Sequence, residues 1–394
     1  MATIIIKNVG PVKEAHFTLN KINVFMGPQC SGKSTIAKII SYCQWVEKRR
    51  MLDGEYKEDV RKQLLGFHHL NESYFDENSY FEYDSDFINI RYEGTKLEEK
   101  ISIKEEEIFN YKKTKNIYIP AERNFVSVIP NLRKYNETND NIMNLIYDWF
   151  TAKEYFSKEY PLSILNFGIN YYQKDADSDV LVLNDVKKEI PLNTGSSSLQ
   201  SVTPLITIVE YLSTILYGEE HSLSVKENKE LYRLHRIKYG SERGVGTVDF
   251  RNQREKYFKT QFIIEEPEQN LFPETQRDLV YYLLEKLQSE KEHSLTITTH
   301  SPYILYALNN CMLGGLINKQ IKDKEIKHEF LSNKYLSNNS WIDPQLISMW
   351  EIKEGKIRGI QDKDGILSEN YFDKKMTEIT DEYFQMLNYY NDEK

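Results

Sequence analysis

Gly27-Pro28-Gln29-Cys30-Ser31-Gly32-Lys33-Ser34-Thr35 is the stretch whose reading decides the fold. It has the P-loop pattern: a glycine, four residues, then Gly-Lys-Ser. Each position has a physical task. The glycines let the backbone turn tightly and bring successive N–H groups onto phosphate oxygens. Lys33 places an ammonium on the β- and γ-phosphates, and the Ser34 hydroxyl ligates Mg²⁺. The following helix turns its positive end toward the same anion.

The flanks agree with this pattern. Ile22-Asn23-Val24-Phe25-Met26 reads as a short buried strand immediately before it. Beyond it, Ile36, Ile39, Ile40 and Cys43 recur at i, i+3, i+4 and i+7, the period of an amphipathic helix. Gly27, Gln29, Cys30, Ser31, Gly32, Lys33, Ser34 and Thr35 are therefore the expected contacts for ATP, with Mg²⁺ as the accompanying ion.

The chain has 394 residues, room for one elaborated domain or two smaller ones. Its 40% hydrophobic and 28% charged residues belong to the ordinary globular range. The start Met1-Ala2-Thr3-Ile4 lacks the plan of a signal peptide, no apolar run of membrane-spanning length stands out, and a cytoplasmic protein with no membrane partner is expected. Three cysteines, one inside the P-loop, do not make a disulfide framework. A net charge of −9 argues against a generally basic surface but leaves room for a local groove that takes DNA.

Strands are expected at Thr3 to Lys7 and Ala15 to Leu19, joined by a turn at Val9-Gly10-Pro11. The P-loop helix is expected to end near Lys48-Arg49-Arg50. Met51 to Asp86 is polar and tyrosine-rich, with weak periodicity. Phe87 to Tyr92 and Lys100 to Ile103 alternate as a hairpin, and Asn116 to Ile119 makes a further strand leading into Pro120-Ala121-Glu122-Arg123-Asn124. Ile142, Leu145, Ile146, Trp149 and Phe150 keep helical spacing and suggest an α-helical lobe. Strands around Val180 to Leu183 and Glu189 to Leu192 precede Asn193-Thr194-Gly195-Ser196-Ser197-Ser198-Leu199-Gln200-Ser201, and a helix with Leu205, Ile208, Val209 and Leu212 follows. Gly218 to Thr260 is charged, locally basic and reads as an insertion.

Gln261-Phe262-Ile263-Ile264-Glu265-Glu266 is a buried strand ending in two acids. A P-loop enzyme needs such an acid at a strand beside the P-loop strand, to hold Mg²⁺, and a second group to orient the attacking water. Glu265 is the expected metal residue and Glu266 the expected base. The bland alternative has both acids capping the next turn. His300, after the apolar strand Leu295 to Thr298, is placed to sense the γ-phosphate, against the common case of an exposed or structural histidine. A hairpin near Trp350 to Leu367 and an amphipathic helix with Phe372, Met376, Ile379, Phe384 and Leu387 end the sequence.

The order of P-loop, serine-rich segment, Glu265-Glu266-Pro267-Glu268 and Thr299-His300-Ser301-Pro302 resembles the ABC-type ATPase heads of the SMC, RecF and OLD group. Ile119-Pro120-Ala121-Glu122-Arg123 and Glu265 to Pro273 look like the OLD-related branch, which includes ATPase subunits of the PARIS and Septu anti-phage systems. The resemblance covers Ile4 to about Leu305. It implies an α/β P-loop NTPase of ABC/SMC-head type with a β-rich N-terminal lobe and an inserted α-helical lobe. One head would span 1–394, with parts at 1–124, 125–260 and 261–394.

It further implies that Ser197, Ser198 and Gln200 belong to a signature segment that meets ATP across a homodimer, with higher oligomers open. Ser198 departs from the family's usual glycine and Glu265 from its usual aspartate. Asn270 stands where many relatives carry histidine, and no glutamine-containing Q-loop can be placed. Arg123 reads equally as a phosphate or partner contact and as a structural ion-pair residue. Asp362-Lys363-Asp364 could be mistaken for the paired aspartates of a Toprim nuclease but reads as a turn, so a separate effector nuclease or toxin is expected. The function implied is an ATP-hydrolysing scaffold or sensor of an anti-phage system. The alternatives are a RecF-like repair ATPase clamping DNA and a self-sufficient OLD-like nuclease.

Overall fold

The computed structural model describes residues 2–53, 60–94, 98–129, 132, 140–218, 256–288 and 291–392. Strands β1 (Thr3–Val9) and β2 (Val12–Thr18) form the first hairpin, with Val9 paired to Val12. The fully buried β3 (Ile22–Met26) then runs into helix α1 (Lys33–Asp53), which continues past the cations expected to end it. Helix α2 (Val60–Phe67) and strands β4 (Phe75–Asp84), β5 (Ile88–Glu93), β6 (Glu98–Ile103) and β7 (Thr114–Ile119) follow. Strand β4 lies inside the stretch whose weak periodicity suggested no element. Its inward residues Ser79, Phe81 and Tyr83 alternate only over a short run, and the strand is secured by pairing with the distant β1.

The middle of the chain carries α3 (Phe125–Val128), α4 (Asn141–Lys153), β8 (Leu162–Ser163), β9 (Ile169–Asp175), β10 (Ser178–Leu183), β11 (Lys188–Pro191) and α5 (Ser197–Ser213). The inserted lobe thus holds two long helices and also an antiparallel sheet of order β11-β10-β9-β8. The short β8 and the polar β9 offer little apolar alternation of their own. Of the charged insertion, residues 219–255 lie outside the described residues. The last part contains β12 (Lys259–Glu265), α6 (Pro273–Leu287), β13 (Ser294–Thr299), α7 (Pro302–Gln320), α8 (Lys324–Ser332), β14 (Ile347–Lys353), β15 (Lys356–Gly359) and α9 (Tyr371–Asp392).

The main sheet has eleven strands in the order β6-β5-β4-β1-β2-β15-β14-β3-β13-β12-β7. Neighbours from β14 through β7 are parallel, while the β2-β1-β4-β5-β6 half is antiparallel. This corrects one expectation. The acid-bearing β12 is not beside β3, because β13 lies between them. An apolar run specifies that a strand is buried on both faces but not which strand it joins.

Alternate side chains of the parallel strands feed two cores. Ile22, Val24, Met26, Ile117, Ile119, Phe262 and Ile264 face α4 to α7, whereas Phe25, Tyr118 and Ile263 face α1 and the antiparallel lobe. That two-residue period in a sheet covered on both faces is why these strands read as unbroken apolar runs. A second correction concerns length. Ser197–Tyr217 is apolar and long enough to cross a membrane, and 72% of its most apolar window is buried in the fold, as befits a core helix.

Candidate functional site

Parallel strands with open carboxyl ends create a crevice where loops meet. Here Met26 pairs with Thr299, and Thr298 pairs with Glu265, so the three strands end level. The residues that come next are Gly27, His300 and Glu266. Register alone therefore brings the P-loop, the histidine and the second acid to one place.

The loop before α1 needs its glycines. Gly32 has φ +107°, and a Cβ there would stand 2.6 Å from Val12 Cγ2. A Cβ on Gly27 would meet the Ile352 carbonyl oxygen at 2.4 Å, because β14 passes close beside the loop. Cys30 adopts φ +59° without being glycine, a conformation that costs about 1–2 kcal/mol for an L-residue. Ser31 Oγ is buried and makes no hydrogen bond among the described residues. Gln29, Cys30 and Ser34 are exposed, while Lys33 and Thr35 are buried.

Lys33 Nζ donates to the carbonyls of Gly27 at 3.0 Å and Pro28 at 2.8 Å, and its third contact is His300 Nδ1 at 3.3 Å. An ammonium has three hydrogens and no lone pair, so His300 Nδ1 is the acceptor. The imidazole proton then sits on Nε2, which faces Glu266 Oε1 at 2.7 Å. The result is a directed chain, Lys33 to His300 to Glu266. Burial pushes the Lys33 ammonium down to about 8, opposed first by the Glu266 and then by the Glu268 carboxylate. The His300 hydrogen bond holds Glu266 below its ordinary range against the effect of burial.

Glu266 is itself strained, with φ +41°. Arg123 explains how that conformation is held. The guanidinium is 1% exposed and donates to the backbone carbonyls of Glu265 at 2.9 Å, Glu266 at 3.0 Å and Pro267 at 3.1 Å. It is a backbone clamp, neither of the two roles its sequence position suggested. Burial lowers its pKa to about 10, and the surrounding Glu268, Glu266, Glu122 and Glu265 charges oppose that shift.

Glu268 positions the histidine. Its Oε1 accepts from the His300 backbone N–H at 2.6 Å and from Thr299 Oγ1 at 2.8 Å, and burial raises its pKa. The Glu-Glu-Pro-Glu spacing was the only sequence signal for this residue. Tyr118, which nothing in the sequence singled out, lies by Glu265; burial and then that carboxylate push its phenol well above the usual range.

Two tests bear on a nucleotide and its metal. Glu265 is 6% exposed, and its Oε1 accepts no hydrogen bond among the described residues. No group of three or more His, Cys, Asp or Glu positioned to hold a metal occurs among them either. A single buried carboxylate with an exposed Ser34 hydroxyl suits Mg²⁺ that takes its remaining ligands from phosphate and water. The glycine cradle and the buried Ser31 hydroxyl suit the phosphates themselves.

The serine segment is elsewhere. Ser196 caps α5 by accepting from Leu199 N at 3.4 Å, and Ser197 is exposed. Ser198 Oγ donates to the Asn270 carbonyl at 2.6 Å, and Ser201 Oγ to that of Gln269 at 3.2 Å. Gln200 Nε2 donates to the Asn193 carbonyl at 2.9 Å. Ser198 and Ser201 therefore pack on the loop that follows Glu266, and none of these residues hydrogen-bonds directly to Lys33, Glu266 or His300. Asn270 bends that loop with φ +62°, a left-handed conformation that asparagine tolerates. Farther off, Asp362 Oδ1 accepts from the N–H groups of Asp364 and Ile366, which is the work of a turn residue.

Strand order, level strand ends and loop geometry define an α/β protein of the P-loop class. Residues 3–188 match a family model described as an AAA domain. No curated protein matches the sequence. Among solved structures, an SMC head domain from Thermotoga maritima is 8% identical, with 92% of this chain and 98% of that one covered and a TM-score of 0.39. The recombination mediator RecF is 9% identical over 91% of this chain and 97% of its own, with a TM-score of 0.40. A dimeric ATP-binding cassette, MJ0796, described as bound to ADP and Pi, is 10% identical over 91% and 99%, with a TM-score of 0.31.

Proposed function

We propose that this chain is an ABC-type ATPase in which ATP closes a homodimer and hydrolysis reopens it, and that it serves an anti-phage system by restraining a separate nuclease or toxin. The observation that carries the ATPase reading is the Lys33–His300–Glu266 chain beside the unpaired Glu265 Oε1. Mg-ATP would supply the phosphate charge and the metal ligand field. Lys33 would exchange its loop carbonyls for phosphate oxygens, Ser34 and Glu265 would hold the ion, and Gly27 to Thr35 would cradle the phosphates. His300 would turn its Nε2 hydrogen from Glu266 to the γ-phosphate, which would free the ionised Glu266 to take a proton from water.

This half-site leaves the far side of the γ-phosphate to a second copy. Ser197, exposed with Ser196 at the start of α5, would take that task. The anti-phage assignment is supported by the likeness of Ile119 to Arg123 and Glu265 to Pro273 to the OLD-related branch.

Light scattering with Mg-ATP tests the assembly. Glu266→Gln is expected to accumulate as an ATP-bound dimer, and Ser197→Arg to bind ATP and stay at its nucleotide-free mass. If Glu266→Gln binds ATP without any change in mass, the nucleotide-sandwich reading fails. Co-purification with the products of neighbouring genes tests the effector, and recovery of the chain alone opposes that part.

A further inference from the structure

Helix α9 makes an uneven contact with its own fold. Its first residues, Tyr371 and Phe372, pack against the larger core, and Asp373 accepts hydrogen bonds from the Tyr306 hydroxyl and from Asn370. Beyond that anchor the apolar side chains face outward: Met376 is 65% exposed, Ile379 65%, Tyr383 57% and Met386 58%. Such a face is costly to leave in water and marks a contact surface.

The spacing says what kind of surface it is. Phe372, Met376, Ile379, Tyr383 and Met386 follow one another by four, three, four and three residues. That alternation is the heptad seam of paired helices, in which apolar side chains from each helix fill gaps in the other. Phe384, 55% exposed, and Leu387 lie on one flank of this stripe.

Charge decides the occupant and the direction. In a parallel pair, Lys375 would face Thr380 and Glu382 would face Leu387, so neither charge would find an opposite. In an antiparallel pair with Met376 facing the second copy's Ile379, Phe372 faces the second copy's Tyr383. Lys375 of each helix then meets Glu382 of the other, and this match occurs twice because the contact has two-fold symmetry. Within its own helix Lys375 reaches Glu378, one turn on, and lies over the Tyr371 ring. We infer that α9 pairs antiparallel with α9 of a second copy through this seam. It joins two chains without nucleotide, at a surface separate from the ATP-dependent one.

Sedimentation of the full chain without nucleotide, in native and Lys33→Ala backgrounds, tests this apart from any ATP-driven dimer. A dimer in both is expected, converted to monomer by Ile379→Asp, whose site is exposed and whose thermal melt reports intact folding. Lys375→Glu should weaken the dimer about tenfold, and adding Glu382→Lys should restore it. A monomer at all concentrations up to about 100 μM, or a dimer untouched by Ile379→Asp, overturns the proposal. Failure of the charge swap to restore the dimer overturns the antiparallel pairing.

Discussion

The strand-end cluster and the Ser197–Gln200 segment were both expected to touch nucleotide, yet they are built in opposite ways. At the strand ends, side chains bond to one another: Lys33 to His300, His300 to Glu266, and Glu268 to the backbone of His300. In the serine segment, hydroxyls bond to backbone carbonyls of the Gln269–Asn270 loop, and Ser197 faces outward. The first arrangement has a fixed direction of hydrogen bonding and can act chemically on its own chain's ligand. The second is a mount on that loop, and it leaves Ser197 exposed to solvent. The loop from Glu266 to Asn270 joins the two, so the state of one is linked to the position of the other by five residues of backbone.

The comparison breaks most sharply at Glu266. Glu266→Gln should retain ATP binding while turnover falls by about 10²–10⁴-fold, since an amide accepts no proton. Steady-state hydrolysis with nucleotide titration checks this; unchanged turnover would move the base to another residue.

Arg123 comes next. Arg123→Ala leaves buried carbonyls unpaired and four nearby carboxylates without their buried counter-charge, a loss of about 3–5 kcal/mol. Thermal unfolding measures it. Arg123→Lys should recover part of the stability but little of the turnover, because one ammonium cannot span three carbonyls in a fork. Equal recovery of both would make Arg123 purely structural.

The Lys33 ammonium gives a pH signature of intermediate size. Its folded pKa of about 8 lies below the ordinary lysine value. Above about 8 the free protein must take up a proton to bind phosphate, so ATP affinity should fall by at most tenfold per pH unit. Folding stability moves the other way. The unfolded chain holds the Lys33 proton to higher pH, so this residue's contribution rises as pH climbs from about 8 toward its ordinary value. Calorimetric titration from neutral to alkaline pH tests the first statement, and Lys33→Ala should remove the dependence.

The smallest effect belongs to the mount. Ser198→Ala removes one hydrogen bond to Asn270 and should cost about 0.5–1.5 kcal/mol of stability, with the nucleotide affinity of its own chain's P-loop unchanged. A large loss of that affinity would show that the serine segment belongs to the same site as Lys33.

Much of this architecture was legible residue by residue. Local chemistry specified β3, the glycine turn and the start of α1, because tight turns need glycine and buried parallel strands need apolar runs. It also marked Glu265, Glu266 and His300 as strand-end groups. What it did not disclose were features created by strands meeting across the chain. Strand β4 is one, since its sequence alternates too briefly to stand out and its stability comes from β1. The pairing of β8 and β9 onto the legible strands β10 and β11 in the inserted lobe is another.

The sequence by itself thus determined a phosphate-binding loop on an α/β frame and the residue types gathered around it. Only the tertiary structure decided that β13 enters between β3 and β12, which sets His300 between Lys33 and Glu266. Only it turned Arg123 from a candidate ligand into a clamp on three carbonyls. The physical reason is the same in both cases. Periodicity and turn chemistry act over a few neighbouring residues, whereas strand order and the partners of a buried cation depend on which distant segments exclude water together.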